Sequence, residues 1–225
     1  MAGRLILFNG GRVDESEAIL LERLDEVARY LVSRAAPIRF EVACEPEERA
    51  AVFRLRFETV VKQGWATPAD FPEGLERDAY DDQAVLVVGW DDGTLAATAR
   101  LVFPEASQPL PIEQEFGLEI ERRGGVVDLR RAIVAGPYRS RRHTVFVALL
   151  ARCWLEVRSR GLHRVCGAAN PAWLERYRQL GLPVRVLGPA QRYWGEERYP
   201  LLLDGVELGR VGLRGLARVT GWAPP

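Results

Sequence analysis

Long apolar runs are missing from this sequence. No uninterrupted stretch reaches about 18 apolar residues, the length that a helix needs to cross a bilayer. The N-terminus also lacks the pattern of a secretory signal, which is a charged stretch, an apolar core and a cleavage site of small residues. We therefore expect a cytoplasmic protein that is not stably inserted in a membrane.

Cysteine and histidine are scarce, and their spacing fits no common site. The three cysteines, Cys44, Cys153 and Cys166, lie far apart in apolar surroundings, which predicts buried free thiols. The two histidines, His143 and His163, have no serine or cysteine partner at a recognisable motif spacing. These observations argue against a metal site, a nucleophilic triad and an acyl-enzyme formed on Cys166.

The chain also lacks a net charge, because 31 basic residues balance 31 acidic ones. A dominant nucleic-acid surface is therefore not indicated, and we expect no nucleic-acid partner. Hydrophobic residues make up 48% of the chain and charged residues 28%, which is ordinary for a folded globular protein and unlike disorder. A length of 225 residues suits one large domain with a terminal extension.

Strand and helix patterns alternate along the chain without an internal repeat. Helices are predicted at about 14–36, 46–63, 143–160 and 171–180, and strands at 38–42, 84–90, 95–103, 126–134, 163–169, 184–187 and 199–203. The turn Asp91-Asp-Gly-Thr94 predicts an antiparallel hairpin, which a purely parallel sheet cannot contain. We expect an α/β fold with a mixed, mostly antiparallel sheet and helices on both faces. The N-terminal extension covers 1–37, the main domain 38–210 and a tail 211–225.

The segment 133–182 resembles the core of the GNAT acyltransferase superfamily. It contains a strand that ends in Ala-Ile-Val-Ala-Gly-Pro-Tyr-Arg139, then a helix, another strand and Asn170-Pro-Ala-Trp-Leu-Glu-Arg-Tyr177. The resemblance implies that the backbone amide near Val134 polarises the thioester carbonyl and that Tyr177 protonates the leaving thiolate. Tyr177 lies four residues after Trp173, so it is equally well explained as packed core.

The turn before the long helix carries arginines where coenzyme A enzymes of this superfamily carry glycines. It reads Arg139-Ser-Arg-Arg-His143. Bulky side chains there favour phosphopantetheine on an acyl carrier protein as the donor, held by Arg139, Arg141, Arg142 and Asn170. Acyl-CoA remains a possible donor, and a solvated turn with surface salt bridges is the structural alternative.

A second resemblance covers about 53–131 and concerns autoinducer (acyl-homoserine-lactone) synthases and N-acyl amino acid synthases. The similar segments are Leu55-Arg56, Gly64-Trp65, Gly74-Leu-Glu-Arg-Asp-Ala-Tyr-Asp81, Thr98-Ala-Arg-Leu101 and Asp128-Leu-Arg-Arg131. The resemblance implies that Arg56, Trp65, Asp78, Asp81 and Arg100 line the acceptor and reaction cleft. Asp128 and Arg131 stand where the lactone synthases carry Glu followed by Arg, and they are predicted to bind the substrate.

Acyl transfer to an amine needs a deprotonated amine, and two carboxylates are candidates for that task. Asp78 and Asp81 are three residues apart and would attract a cationic acceptor and accept its proton. Arg56 and Arg100 would pair with these carboxylates or with a carboxylate of the acceptor. The alternative is that both aspartates are ordinary solvated turn residues.

These features together predict an N-acyltransferase that moves a fatty acyl group from an acyl carrier protein or acyl-CoA to an amino acid by direct attack. No bound cofactor and no metal are expected; the partners are the acyl carrier protein and a small amine. One alternative is an autoinducer synthase that uses S-adenosylmethionine in quorum sensing. The length of the N-terminal extension favours an amino acid as the acceptor. The other alternative is a non-catalytic module that binds an acyl carrier.

Overall fold

A computed structural model of the chain describes residues 4–6, 13–105, 108–121, 125–139, 143–213, 215 and 221–222. The predicted donor-binding residues Arg141 and Arg142 lie outside these described residues. The helices are α1 (Glu15–Ser33), α2 (Pro46–Lys62), α3 (Pro111–Phe116), α4 (Thr144–Ser159), α5 (Pro171–Gln179) and α6 (Gly205–Glu207), the last continued by a π-helical turn, Leu208–Gly212. None of the described helices is long and apolar enough to cross a membrane.

The strands are β1 (Arg4–Ile6), β2 (Arg39–Val42), β3 (Val85–Asp91), β4 (Thr94–Val102), β5 (Leu118–Ile120), β6 (Val126–Val134), β7 (Arg164–Ala169), β8 (Arg185–Val186), β9 (Gln191–Tyr193) and β10 (Glu196–Asp204). Among the described residues they form an eight-stranded sheet in the order β2-β3-β4-β6-β7-β10-β8, with β9 on β10. Within that sheet only β6 and β7 pair in parallel. The predicted mixed, mostly antiparallel sheet is confirmed.

The predicted hairpin joins β3 to β4 as expected. Its turn residues Asp92 and Gly93 have φ of 45° and 80°, the left-handed conformation that a tight hairpin turn requires. The pairs on either side run from Val85 with Leu101 to Asp91 with Thr94. This hairpin makes the first half of the sheet antiparallel.

Helices cover both faces of the sheet, also as predicted. Val87 of β3 packs with Leu149 of α4 in one buried cluster. Its neighbours Leu86 and Val88 pack with Val52 of α2 in another. Because successive side chains of a strand point to opposite faces, α4 and α2 lie on opposite sides of β3.

Two local irregularities shape the middle of the sheet. Between the pairs Thr98/Ile133 and Arg100/Arg130, β4 contributes one residue and β6 contributes two, so β6 contains a bulge. The bulge includes Arg131, whose φ of 55° is left-handed. Bulges redirect side chains, and this one brings Arg131 to the carboxylates described below.

The parallel pairing of β6 with β7 ends after three residue pairs. The last pair is Asp128 with Cys166, although β6 continues to Val134 and β7 to Ala169. A Cβ at Gly167 would lie 2.7 Å from the backbone oxygen of Leu129, so the two strands touch closely just where pairing stops. Beyond that point the strands separate and leave a cleft in the sheet.

The N-terminal helix α1 packs against α4 and the C-terminal turn. Asp14 forms a capping box with Glu17 at its start. Leu21 and Leu24 of α1 join Val206 and Leu208 in a buried cluster. The extension predicted for 1–37 therefore packs its helix onto the main domain.

Several elements were not predicted from the sequence. The stretch 108–121, where neither a helix nor a strand was predicted, contains α3 and β5, and β5 pairs in parallel with β1. Strand β9 was also missed, and β10 begins earlier than the predicted strand at 199–203. These are short elements whose pairing depends on distant parts of the chain.

We predict that Gly167→Ala destabilises the protein, because its Cβ would press on the Leu129 backbone rather than on a movable side chain. The expected loss in the free energy of unfolding is about 1–3 kcal/mol, measured by urea denaturation. Gly136→Ala is the control, since nothing lies within 4 Å of its Cβ position. Equal stability of the two variants would show that β6 and β7 do not depend on this contact.

Candidate active site

Three arginines and three carboxylates form a closed ring of ion pairs. The members of this charge ring are Arg56, Glu76, Asp78, Asp81, Arg100 and Arg131. On one side, Asp81 accepts from Arg56 at 2.8 Å and lies 3.2 Å from a nitrogen of Arg100. The same Arg100 nitrogen, Nη1, donates to Asp78 at 2.6 Å. Asp81 and Asp78 are thus joined through one guanidinium group.

The other side of the charge ring closes through Arg131. Its Nη2 lies 3.3 Å from Asp78 and 2.9 Å from Glu76. Glu76 in turn lies 4.0 Å from Nε of Arg56, which is an ion pair but too long for a hydrogen bond. The charge ring therefore ties together α2, the loop that carries the carboxylates, β4 and β6.

Most of the charge ring is buried. Arg56 is 0% exposed, and Asp81 and Arg100 are 1% exposed. Such burial is tolerable because the three positive and three negative charges compensate one another. Within the described part of the chain, Nε and Nη2 of Arg56 and of Arg100 still have no hydrogen-bond partner. The ring is therefore neutral but not fully satisfied in hydrogen bonds.

The ionisation of Asp81 is set by its partners. Burial acts to raise its pKa, but the guanidinium groups of Arg56 and Arg100 outweigh burial and hold the pKa below its usual value. Asp81 is accordingly a stable carboxylate, poorly suited to accept a proton at neutral pH.

Asp78 is the carboxylate of the charge ring that reaches solvent. Its side chain is 34% exposed, against 2% for Asp81 and for Glu76. One oxygen also accepts from the backbone N–H of Tyr80 at 3.0 Å. The two predicted aspartates therefore differ in accessibility, and only Asp78 can meet an acceptor without opening the ring.

Arg131 links the charge ring to a large cavity. Its Nη1 donates to the Tyr193 hydroxyl at 2.7 Å, and its guanidinium lies 4.9 Å from the centre of the Trp194 ring. Burial acts to lower its pKa, but Glu76 outweighs burial and the pKa of Arg131 lies above its usual value. Arg131 is thus a permanent cation shared by the charge ring and the cavity wall.

The cavity occupies the cleft between β6 and β7 and has a volume of about 570 Å³. Its wall includes both separated strand ends, with apolar side chains from α4 and β10. Six predicted site residues line it, namely Trp65, Arg131, Val134, Arg139, Asn170 and Tyr177. A cleft of this size and apolar character suits a small-molecule or acyl-chain site.

Four other predicted residues belong to the charge ring and do not line the cavity. These are Arg56, Asp78, Asp81 and Arg100. Asp128 belongs to neither group. It is fully buried, accepts from the backbone of Ile112 at 2.8 Å and pairs with Arg130 at 2.9 Å. Asp128 thus has a structural role between β6 and the start of α3.

The backbone of Val134 faces the cleft. The N–H of Ala135 donates to Ala96 at 2.8 Å, so these two residues form a hydrogen-bonded pair across β4 and β6. The neighbouring pair, Val134 with Ala97, is therefore the non-bonded kind, and the Val134 amide points away from β4. Its carbonyl accepts from Nε of Arg139 at 2.8 Å, which holds this exposed arginine at the cavity wall.

Tyr177 belongs to an aromatic group on the cavity wall. Its ring lies 5.8 Å from Trp173, and Trp173 lies 5.1 Å from Phe146 and 6.1 Å from His143. Burial raises the pKa of Tyr177, so its hydroxyl keeps its proton. Tyr177 packs against Trp173, as a core residue would, and it also lines the cavity, as a proton donor to the thiolate would have to.

Asn170 stabilises the start of α5. Its side-chain oxygen accepts from the backbone of Trp173 at 3.0 Å, and its nitrogen donates to Glu196 at 3.1 Å. Asn170 also lines the cavity, and its two side-chain contacts are structural.

Three contributors to the site were not predicted from the sequence. Glu76 completes the charge ring and lies two residues before Asp78, within the similar segment 74–81. Tyr193 ends β9, and Trp194 lies in the turn between β9 and β10, where Trp194 and Gly195 have φ of 50° and 73°. A Cβ at Gly195 would lie 2.7 Å from the ring of Trp65. The sequence signal for this turn was the aromatic pair Tyr193-Trp194 directly before Gly195.

The described residues contain no group of three or more histidine, cysteine, aspartate or glutamate side chains placed to hold a metal ion. Cys166 lines the cavity, but burial raises the pKa of its thiol well above the usual value. A protonated thiol is a weak nucleophile, so Cys166 is poorly suited to carry an acyl group.

The family model for the N-acyl amino acid synthase FeeM matches residues 51–203. Among solved structures, the CoA-dependent acyl-homoserine lactone synthase BjaI, with SAM and isopentyl-CoA, is 20% identical with a TM-score of 0.62; the match covers 78% of this chain and 82% of that one. FeeM, from uncultured soil microbes, is 16% identical with a TM-score of 0.59; the match covers 79% of this chain and 96% of that one. No curated protein matches the chain in sequence.

A third solved structure, a putative N-acetyltransferase from Lactobacillus plantarum, is 18% identical with a TM-score of 0.53, covering 74% of this chain and 97% of that one. Structures this distant in sequence support the fold, and they confirm the predicted GNAT-type architecture. The family match confirms the resemblance to N-acyl amino acid synthases.

We predict that Asp81→Asn lowers the free energy of unfolding by about 3–5 kcal/mol, because Arg56 and Arg100 lose a buried counter-charge. Denaturant unfolding at pH 7 measures the loss. Glu73→Gln, which removes an exposed ion pair with Arg77, is the control and should change it by less than about 1 kcal/mol.

Denaturant unfolding of the wild type and of Asp81→Asn at a series of acidic pH values tests the pKa of Asp81. Its folded pKa lies below the unfolded value of about 3.9, so the carboxylate stabilises the fold above that pH. This contribution is lost as the pH falls through the folded pKa, and Asp81→Asn should show a weaker loss of stability with acid. An acid profile identical to the wild type would contradict the assignment.

Proposed function

The chain belongs to the FeeM family of N-acyl amino acid synthases, and on that premise we propose that it joins a fatty acyl group to the amine of an amino acid. Membership makes the protein an acyltransferase that acts on an amine. The observation that carries the finer proposal is the position of Arg131, which belongs both to the charge ring and to the wall of the acyl-sized cavity. One residue thus connects an acceptor site to a donor site.

The acceptor binds at the exposed edge of the charge ring. An amino acid presents an ammonium and a carboxylate, and the ring offers the accessible carboxylate of Asp78 beside the guanidinium of Arg131. The buried members Arg56, Asp81 and Arg100 position these two groups and do not touch the acceptor. Asp128 is not part of this proposal.

The donor places its acyl chain in the cavity and its phosphate near Arg139. This arginine is exposed and held at the cavity wall by Val134. The adjacent helix α4 begins at Thr144, and helix N-termini favour anions. An acyl carrier protein is the preferred donor because the turn lacks glycines, with acyl-CoA as the alternative. The cysteines are free, which agrees with a reaction in the cytoplasm.

The reaction is a direct attack of the amine on the thioester. Asp78, alone or through water, takes one proton from the ammonium, and the nitrogen then forms the new C–N bond. The Val134 N–H donates to the oxyanion. The C–S bond breaks as the thiolate gains a proton from the Tyr177 hydroxyl. The nitrogen passes its second proton through water to the Tyr177 oxygen, so only the proton taken by Asp78 is released. The high pKa of Cys166 supports this route over an acyl-enzyme.

A specific observation favours a second candidate, an acyl-homoserine lactone synthase. The methionine part of S-adenosylmethionine carries the same ammonium and carboxylate as a free amino acid, and the structurally similar BjaI binds SAM. The charge ring is compatible with either acceptor, so product analysis has to separate them.

The test offers acylated carrier protein or acyl-CoA together with a panel of amino acids or S-adenosylmethionine. We expect an N-acyl amino acid by mass spectrometry; a mass that includes homoserine lactone would establish the second candidate. Carrier binding without thiol release for every amine would falsify the enzymatic proposal and leave a binding module.

Asp78→Asn should lower kcat/KM by about 100-fold, because the amine loses both its electrostatic attraction and its proton acceptor. The matched control is Asp82→Asn, since Asp82 is exposed and lies outside the charge ring. Steady-state kinetics with saturating donor measure both variants. Comparable activity of the two would exclude Asp78 from the reaction.

Tyr177→Phe should lower kcat by about 100-fold with an alkyl thioester, because the departing thiolate loses its proton donor. A thioester of a more acidic aryl thiol leaves without protonation, so the defect should shrink with that donor. Tyr199→Phe is the control, since Tyr199 packs beside the same group but does not line the cavity. An equal defect with both donors would assign Tyr177 to packing alone.

A further inference from the structure

We propose that Trp154 closes the far end of the acyl cavity and sets the longest acyl chain that the protein accepts. This inference rests on the proposed function, since it assumes that the acyl chain occupies the cavity. Two elements outside the family-matched residues 51–203, α1 and α6, hold the Trp154 side chain in place. The contacts that fix the position of Trp154, and with it the proposed chain-length limit, thus come from outside the matched region.

Trp154 stands at the end of a row of side chains on α4. Phe146, Leu150 and Trp154 are spaced four residues apart, so they lie on one face of the helix, and all three line the cavity. Phe146 lies beside Trp173, next to the proposed proton donor. Eight residues of helix separate it from Trp154, a rise of about 12 Å. An acyl chain that follows this row away from the reaction centre therefore ends at Trp154.

A hydrogen bond from the N-terminal helix fixes the indole. Nε1 of Trp154 donates to Asp25 of α1 at 2.8 Å. Asp25 is itself held by Nε of Arg158, which lies 3.2 Å and 3.3 Å from its two oxygens. The guanidinium of Arg158 also lies 5.9 Å from the centre of the Trp154 ring. The polar edge of the indole is therefore fixed to α1.

The C-terminal side prevents the indole from moving outward. A Cβ at Gly205 would lie 2.3 Å from Cη2 of Trp154 and 3.0 Å from Leu21. The ring tip thus rests directly on the backbone of α6, in a place that only glycine leaves open. Trp154 also packs against the buried cluster that contains Leu24 and Val206. A longer acyl chain cannot displace the ring without breaking these contacts.

The experiment measures kcat/KM for a series of acyl donors of increasing length with Trp154→Ala. We expect the optimum to shift to longer chains, by about fourfold in relative kcat/KM for each methylene newly accommodated. Asp25→Asn, which keeps the ring but weakens its anchor, should give a smaller shift in the same direction. Gly205→Ala pushes the ring inward and should shorten the preferred chain.

Val157→Ala is the matched control, because Val157 is a buried residue of α4 that does not line the cavity. It should keep the wild-type optimum. Ratios between donors are compared within each variant, so a partly unfolded preparation does not alter the result. An unchanged optimum in an active Trp154→Ala enzyme would overturn this inference alone, whereas a wild type that acylates no amine would overturn the proposed function.

Discussion

The mutual neutralisation of three buried guanidinium groups and three carboxylates is the constraint on which the site depends. No member of the charge ring can stay buried without its neighbours, because an isolated charge away from water is strongly unfavourable. The ring therefore holds α2, the loop after it, β4 and β6 in one arrangement. Since Asp78 and Arg131 are the members nearest to solvent and to the cavity, the buried pairs also fix the groups proposed to meet the acceptor.

The cavity proposed to hold the donor results from an interruption of the sheet. Parallel strands β6 and β7 stop pairing after Asp128 and Cys166, and the backbone groups beyond that point face a cleft. The bulge at Arg131 lies on the same strand, a few residues before Val134. A single strand therefore presents a cation toward the charge ring and a backbone amide toward the proposed thioester. The groups proposed for acceptor and donor binding are therefore positioned by one short stretch of backbone.

Features that depend only on residues close together in the sequence could be predicted from the sequence. The hairpin turn at Asp92 and Gly93, the capped helix α1 and the alternation of strands and helices were all predictable. The resemblance to known synthases indicated most of the charge ring, including Asp78 and Arg131. Sequence alone did not show that Asp81 is buried while Asp78 is accessible, because this depends on packing between distant elements. Tyr193 and Trp194 were missed for the same reason, since a hairpin far along the chain brings them to Arg131.

The shared position of Arg131 has a thermodynamic consequence for a two-substrate reaction. If an acceptor at the charge ring alters the environment of this guanidinium, it alters the wall that is proposed to contact the donor. By linkage, the donor then changes the affinity for the acceptor by the same factor. Contacts of Arg131 with Tyr193 and Trp194 extend this dependence to the β9–β10 hairpin. Substrate affinities measured one at a time would then differ from those in the ternary complex by that common factor.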